Sequence, residues 1–190
     1  MRKLAVFGAV LVVVLMSVTV FADEQAAVIA NLGNWSVWAR KESDRTIAAA
    51  LQNTVTVYVN DTAYSVHYGV GIGKGLFKHA LVILLHQLNE QATLNVQIRP
   101  LANGNKAWCN TTFVGWYNEP LSSTWRTAYY FEETGDLAIE LDPLLYSLEA
   151  VLSKELRISF QTNVGQVTVV VDISNINNVL TELDLASIGF

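Results

Sequence analysis

Over most of residues 35–173 apolar and polar side chains alternate, a period of two that fits strands with one buried face and no helix. Trp35, Val37 and Ala39 alternate with Ser36, Trp38 and Arg40. A polar turn over residues 41–45 leads to Ile47, Ala49 and Leu51, then Val55, Val57 and Val59 alternate with Thr54, Thr56 and Tyr58. Asn60 and Asp61 supply a turn before residues 63–68. Residues 80–85 are apolar without a break, which predicts a central strand buried on both faces. Residues 88–91 turn the chain into 93–99, with Leu94, Val96 and Ile98 on one face. The clearest hairpin pairs 155–162 with 167–173 across residues 163–166, its core faces being Leu156, Ile158 and Phe160 against Val167, Val169, Val171 and Ile173.

The rhythm is broken over residues 101–123 by Asn, Gly, Ser and Pro, so this stretch reads as the longest loop-like region, with a short strand possible over 111–116. It resumes over 125–131 and 137–141. Helical spacing appears twice. Asp142 suits an N-cap and Pro143 the first helical position, followed by Leu145, Leu148 and Leu152. Near the end, Ile176, Val179, Leu180 and Leu183 form a stripe on a terminal helix. The expected fold is mainly β: an antiparallel β-sandwich or open barrel with one or two short helices near the C-terminus.

Residues 1–22 carry a different message. Arg2 and Lys3 precede an apolar run, and Val20 and Ala22 stand three and one residues before a cut ahead of Asp23. This is the pattern of a secretory signal peptide, leaving 23–190 as a single exported domain. The rival is an uncleaved anchor, since the apolar run is near the lower limit for spanning a bilayer. Cleavage would remove two of the 12 basic residues and none of the 17 acidic ones, so the mature chain is more acidic than the formal −5 of the whole. No membrane span is expected after cleavage. Such a charge gives no electrostatic footprint for nucleic acid.

Motifs for chemistry fail one by one. The glycines of residues 69–75 lack the spacing of a phosphate loop, because Tyr68 and Gly75 occupy positions that need glycine and Ser or Thr. They read as a turn between strands. His67, His79 and His86 show no ligand spacing, and Cys109 stands alone, so neither a metal nor any other cofactor is expected. No G-x-S-x-G occurs. Glu132, Glu133, Asp136, Glu140 and Asp142 form an acidic cluster that a hydrolase could use, although a solvated strand turn explains it as well. No catalytic residue is assigned. Asn34, Asn60 and Asn110 head glycosylation sequons.

Trp108, Trp116 and Tyr117 are the candidate ligand-binding residues, because exposed aromatics can stack on sugar rings. On burial grounds the plainer expectation is that they plug the ends of the fold.

Three passages, Ser36-Val37-Trp38 with Asp44-Arg45-Thr46, residues 81–83 leading into 94–98, and the stretch from Ser123-Thr124-Trp125 through 156–160 and 167–174 to 179–183, carry a family likeness. Together they resemble the periplasmic accessory proteins associated with type VI secretion (the VasI/TagO type) and their exported relatives. Those proteins usually carry paired cysteines, whereas Cys109 is alone here. The resemblance implies a secreted or periplasmic, non-enzymatic accessory or binding protein, and it transfers no catalytic residue. An envelope protein or a glycan is the expected partner. The alternative is a carbohydrate-binding module, and the third reading is a hydrolase.

Overall fold

A computed structural model describes residues 27–42, 45–72, 78–85, 98–101, 104–131, 135–163 and 165–189. The expected signal peptide over residues 1–22, His86, the turn expected at 88–91, Leu94 and Val96 of the strand expected over 93–99, and Glu132 and Glu133 lie outside the described residues. Eleven strands and three short helices are present among the described ones. The strands are β1 (Ala27–Leu32), β2 (Trp35–Glu42), β3 (Arg45–Val59), β4 (Thr62–Ile72), β5 (His79–Ile83), β6 (Ile98–Leu101), β7 (Gly104–Gly115), β8 (Pro120–Phe131) and β9 (Asp136–Glu140). After α1 (Asp142–Leu145) and α2 (Leu148–Leu152) come β10 (Ser153–Thr162), β11 (Gly165–Asp172) and α3 (Ile176–Gly189). No helix among them is long and apolar enough to cross a membrane.

Every strand pairing is antiparallel, as expected, but the sheet neither splits into a sandwich nor stays open. It closes as an eight-stranded barrel in the order β3-β11-β10-β7-β8-β9-β5-β4, with β4 returning to β3. Closure removes the sheet edges that a sandwich must protect. Eight strands leave an interior that side chains alone can fill. Here it is filled by Val57, Tyr68, Leu81, Ile83, Cys109, Leu137, Leu156, Ile158, Phe160 and Val169, all nearly inaccessible. The predicted faces of β10 and β11 are all buried, and α3 adds Ile176, Val179 and Leu183 to the same core.

Three departures from the sequence reading have local causes. Strand β7 runs over all of 104–115 and β8 starts at Pro120, ahead of the expected 125–131, so most of the expected loop is strand, because Asn110, Thr112 and Ser123 are outward positions facing each other across the β7–β8 ladder. Gly69 and Gly71 sit inside β4, where β3 and β5 bring Ala49, Leu51, Ala80 and Val82 alongside them. A second apolar cluster of Ala49, Ala80, Val82, Leu84 and Ala138 lies there. The helix after β9 is two short ones, broken at Tyr146 and Ser147. Its N-cap is Leu141, without a side-chain cap, because the Asp142 carboxylate is engaged elsewhere, as described below.

One feature of the wall positions the site. β3 has two partners along a single edge: β2 pairs with Arg45–Gln52, and β11 pairs only with Val57–Val59. A bulge between Gln52 and Val55 marks the change of partner. Between these two ladders the barrel wall forks.

Candidate functional site: a polar cleft at the fork

The fork opens a cleft of about 410 Å³, within the range of ligand sites. β3 contributes Gln52, Thr54, Val55 and Thr56, and β11 contributes Val170 and Asp172. Asn34, Trp116, Lys154, Glu155 and Ser174 complete the lining.

Gln52 follows Ala48 and Ala50 on the inward-facing phase of β3, and it is 2% exposed. The Tyr68 hydroxyl accepts a hydrogen bond from the Asp172 main-chain N–H at 3.2 Å and donates its own proton to Gln52 Oε1. With one proton to give, the hydroxyl fixes the amide so that Nε2 points away from it. That Nε2 is buried and has no hydrogen-bond partner. An unmade bond of this kind costs about 1–3 kcal/mol, which marks Gln52 out among the residues lining the cleft. Burial pushes the Tyr68 phenol well above its usual range, and the nearby Asp172 carboxylate adds to this despite the opposing main-chain bond. Tyr68 is therefore a neutral donor at any physiological pH.

The charged groups at the rim are already engaged. Asp172 Oδ1 accepts from the Ser174 N–H and hydroxyl at 2.9 and 2.6 Å, and Oδ2 accepts from Asn34 Nδ2 at 3.4 Å. Glu155 pairs with Lys154 at 3.7 Å and Arg157 at 3.2 Å. The arrangement can hold and orient a polar ligand; its carboxylates are tied rather than poised for proton transfer.

Trp116 lies on the β7–β8 turn, closed by bonds from the Gly115 N–H to the Glu119 carbonyl and from the Asn118 N–H to the Gly115 carbonyl. Asn118 takes φ +66° there. The turn leaves Trp116 61% exposed at the cleft rim and Tyr117 92% exposed at its tip. Trp108 is 48% exposed on the outer face of β7. None of the three plugs an end of the fold. Nor do they form one cluster, since Trp108 and Trp116 are separated by roughly 26 Å of strand at about 3.3 Å per residue.

Trp125, not singled out from the sequence, is 62% exposed beside a depression of about 310 Å³ lined also by Asn110, Thr112, Ser159, Gln161 and Gln166. Sequence reasoning also missed Gln52. Its signal was available: a lone amide on the inward phase of an otherwise apolar strand.

Two groups considered for chemistry have structural employment. His79 is clamped between carboxylates, Nδ1 lying 2.7 Å from Asp142 Oδ1 and Nε2 lying 2.9 Å from Asp184 Oδ1. Asp142 Oδ2 also accepts from the main-chain N–H groups of Lys78 and His79. Lys78 Nζ pairs with Asp184. This cluster ties β5 to α1 and α3. Partial burial pushes the Asp184 carboxyl up, but the Lys78 and His79 bonds outweigh it and leave the group below its usual value. Cys109 is buried inside the barrel, and burial raises its thiol to about 11 against the opposing pull of Arg126.

Comparison with known proteins finds no matching family model, no matching curated protein and no matching solved structure.

Proposed function

We propose that the mature chain is an exported, non-enzymatic binding protein of the cell envelope, acting as an accessory to secretion and holding its ligand in the cleft at the fork. One observation carries the assignment of the site: Gln52, whose buried amide nitrogen has no partner, lines a cleft that an exposed tryptophan also lines. The leader over residues 1–22, the resemblance to type VI secretion accessory proteins and the lack of catalytic motifs in the sequence support the wider reading.

Trp116 supplies the readout. Titrating the mature protein with fractionated envelope extract should shift its tryptophan emission, and Trp116→Ala should abolish the shift. An unchanged shift in Trp116→Ala would move the site elsewhere. Turnover of a hydrolase substrate by the purified protein would overturn the non-enzymatic reading.

A second reading, carbohydrate binding, is favoured by the outer face of β7 and β8. Trp108 and Trp125 stand exposed there, and Trp125 borders a depression lined by uncharged amides and hydroxyls. Pyranose CH faces stack on indoles while hydroxyls bond to such groups. A panel of soluble glycans tested against Trp125→Ala and Trp108→Ala decides it: loss of binding in these variants supports this face, and no binding by the wild type removes it.

A further inference from the structure

We infer that the outer face of β7, β8 and β10 takes a neutral glycan of at least two linked rings, one stacked on Trp125 and the chain continuing to Trp108. This rests on the carbohydrate reading of that face, and it names the charge and the footprint of the sugar.

On β7 and β8 the inward positions Ala107, Cys109 and Ala128 are fully buried, which turns Trp108 and Trp125 outward. Trp125 stands opposite Asn110, and Trp108 stands opposite Thr127. The two indoles are therefore diagonal neighbours on adjacent strands, with attachment points about 7–8 Å apart on one face. The depression beside Trp125 also has its cause in the register. Trp125, Asn110, Ser159 and Thr168 form one row across the wall, each paired directly with the one before. Short side chains on β7 and β10 thus lie between the indole on β8 and the paired Gln161 and Gln166. At about 310 Å³ the hollow holds only part of an oligosaccharide. One residue beyond the Phe160–Cys109 pair, Gln161 and Trp108 both take outer positions, so a chain leaving the hollow past Gln161 meets the second indole.

The lining is amide and hydroxyl, and no ionisable side chain is among the described residues that form it. Its central amide is oriented before any ligand arrives. Asn110 Oδ1 accepts from the Ser123 hydroxyl at 2.7 Å and lies 3.0 Å from the Thr112 hydroxyl. With the oxygen held by this network, the amide presents Nδ2 and its two protons as donors. A sugar hydroxyl can accept from them while the CH face of the same ring covers Trp125. A carboxylate, sulfate or ammonium on the sugar would lose hydration here without meeting a counter-charge, which selects against charged glycans. The cleft at the fork has the opposite character, with Lys154, Glu155 and Asp172, and the two sites share no lining residue.

The test titrates the ¹⁵N-labelled mature protein with cellotetraose, chitotetraose, laminaritetraose and maltotetraose, and with two charged chains, tetragalacturonate and the fully deacetylated chitosan tetramer. At least one neutral chain should move the indole N–H signals of Trp125 and Trp108 and the Asn110 side-chain NH₂; neither charged chain should. The methyl glycoside of the same sugar should move Trp125 and Asn110 alone. Among variants checked as folded by their amide spectra, Trp125→Ala should abolish binding. Asn110→Asp should weaken it about tenfold, as for a lost hydrogen bond. Trp108→Ala should weaken the tetrasaccharide about tenfold and leave the glycoside unchanged. A charged chain bound as tightly as a neutral one, or a tetrasaccharide indifferent to Trp108→Ala, overturns the inference while the carbohydrate reading stands. If no sugar moves these signals at millimolar concentration, that reading falls as well.

Discussion

The indole of Trp35 meets the ring of Tyr68 edge to face, with centroids 5.3 Å apart and planes at 72°. Both are fully buried, and both turn their polar atoms to the main chain of Asp172. Apolar contact and hydrogen bonding thus converge where β2, β4 and β11 meet. Tyr68→Phe keeps the ring but strands the Asp172 N–H and Gln52 Oε1. It should destabilise the fold by about 1–3 kcal/mol in chemical denaturation. No change would mean that these groups find other partners.

Phe160 is 1% exposed on the inner face of β10, and its neighbours on β7 and β11 include Cys109 and Val167. Phe160→Ala should cost about 3–5 kcal/mol by leaving a cavity in a closed wall that cannot collapse around it. Trp116→Ala, at an exposed turn, should fall within about 0.5 kcal/mol of wild type. Urea titration of both variants measures the contrast.

The Cys109 thiol should resist alkylation in the native protein at pH 8 and react fully once urea has unfolded it. Its folded value of about 11 exceeds the ordinary 9.0, so the unfolded state ionises first. Its contribution to stability is present below pH 9 and is lost as pH rises toward 11. Cys109→Ala should remove that part of the alkaline decline, measured as melting temperature against pH.

Asp184 titrates with the opposite sense. Its folded value lies below the ordinary 3.8, so its contribution is present above that value and fades as pH falls through the folded one. Asp184→Asn should lower the melting temperature at pH 7 and flatten its acid-side slope. Hydrogen exchange should quicken in α3, which this carboxylate ties to Lys78 and His79. Unaltered exchange there would show that the apolar stripe of α3 suffices to hold it.

Local pattern carried much of the fold. The β10–β11 hairpin, the Asn60-Asp61 turn with both residues at positive φ, and the stripe of α3 follow from neighbours in sequence. Barrel closure does not, because it rests on pairings such as Val57 with Val169 and Ile83 with Leu137 that no local period specifies. Strand β7 and the first five residues of β8 were hidden by their outward Asn, Thr and Ser, which resemble loop composition until the inward Ala107, Cys109 and Phe113 are seen as a face. Trp116 and Tyr117 could be named from the sequence as aromatics worth testing. Their exposure could not, because it depends on a five-residue turn. The cleft itself arises where one strand changes partners, and hydrophobic rhythm is blind to partners.

That change of partner gives the cylinder a seam. Only three residue pairs stitch β11 to β3, whereas β10 and β11 are joined along nearly their whole length. That seam, with the β8–β9 line, is among the least reinforced of the wall, and the proposed binding cleft lies along it. An occupant bridging the seam would act as a brace, tightening the whole cylinder in proportion to how strongly it is held.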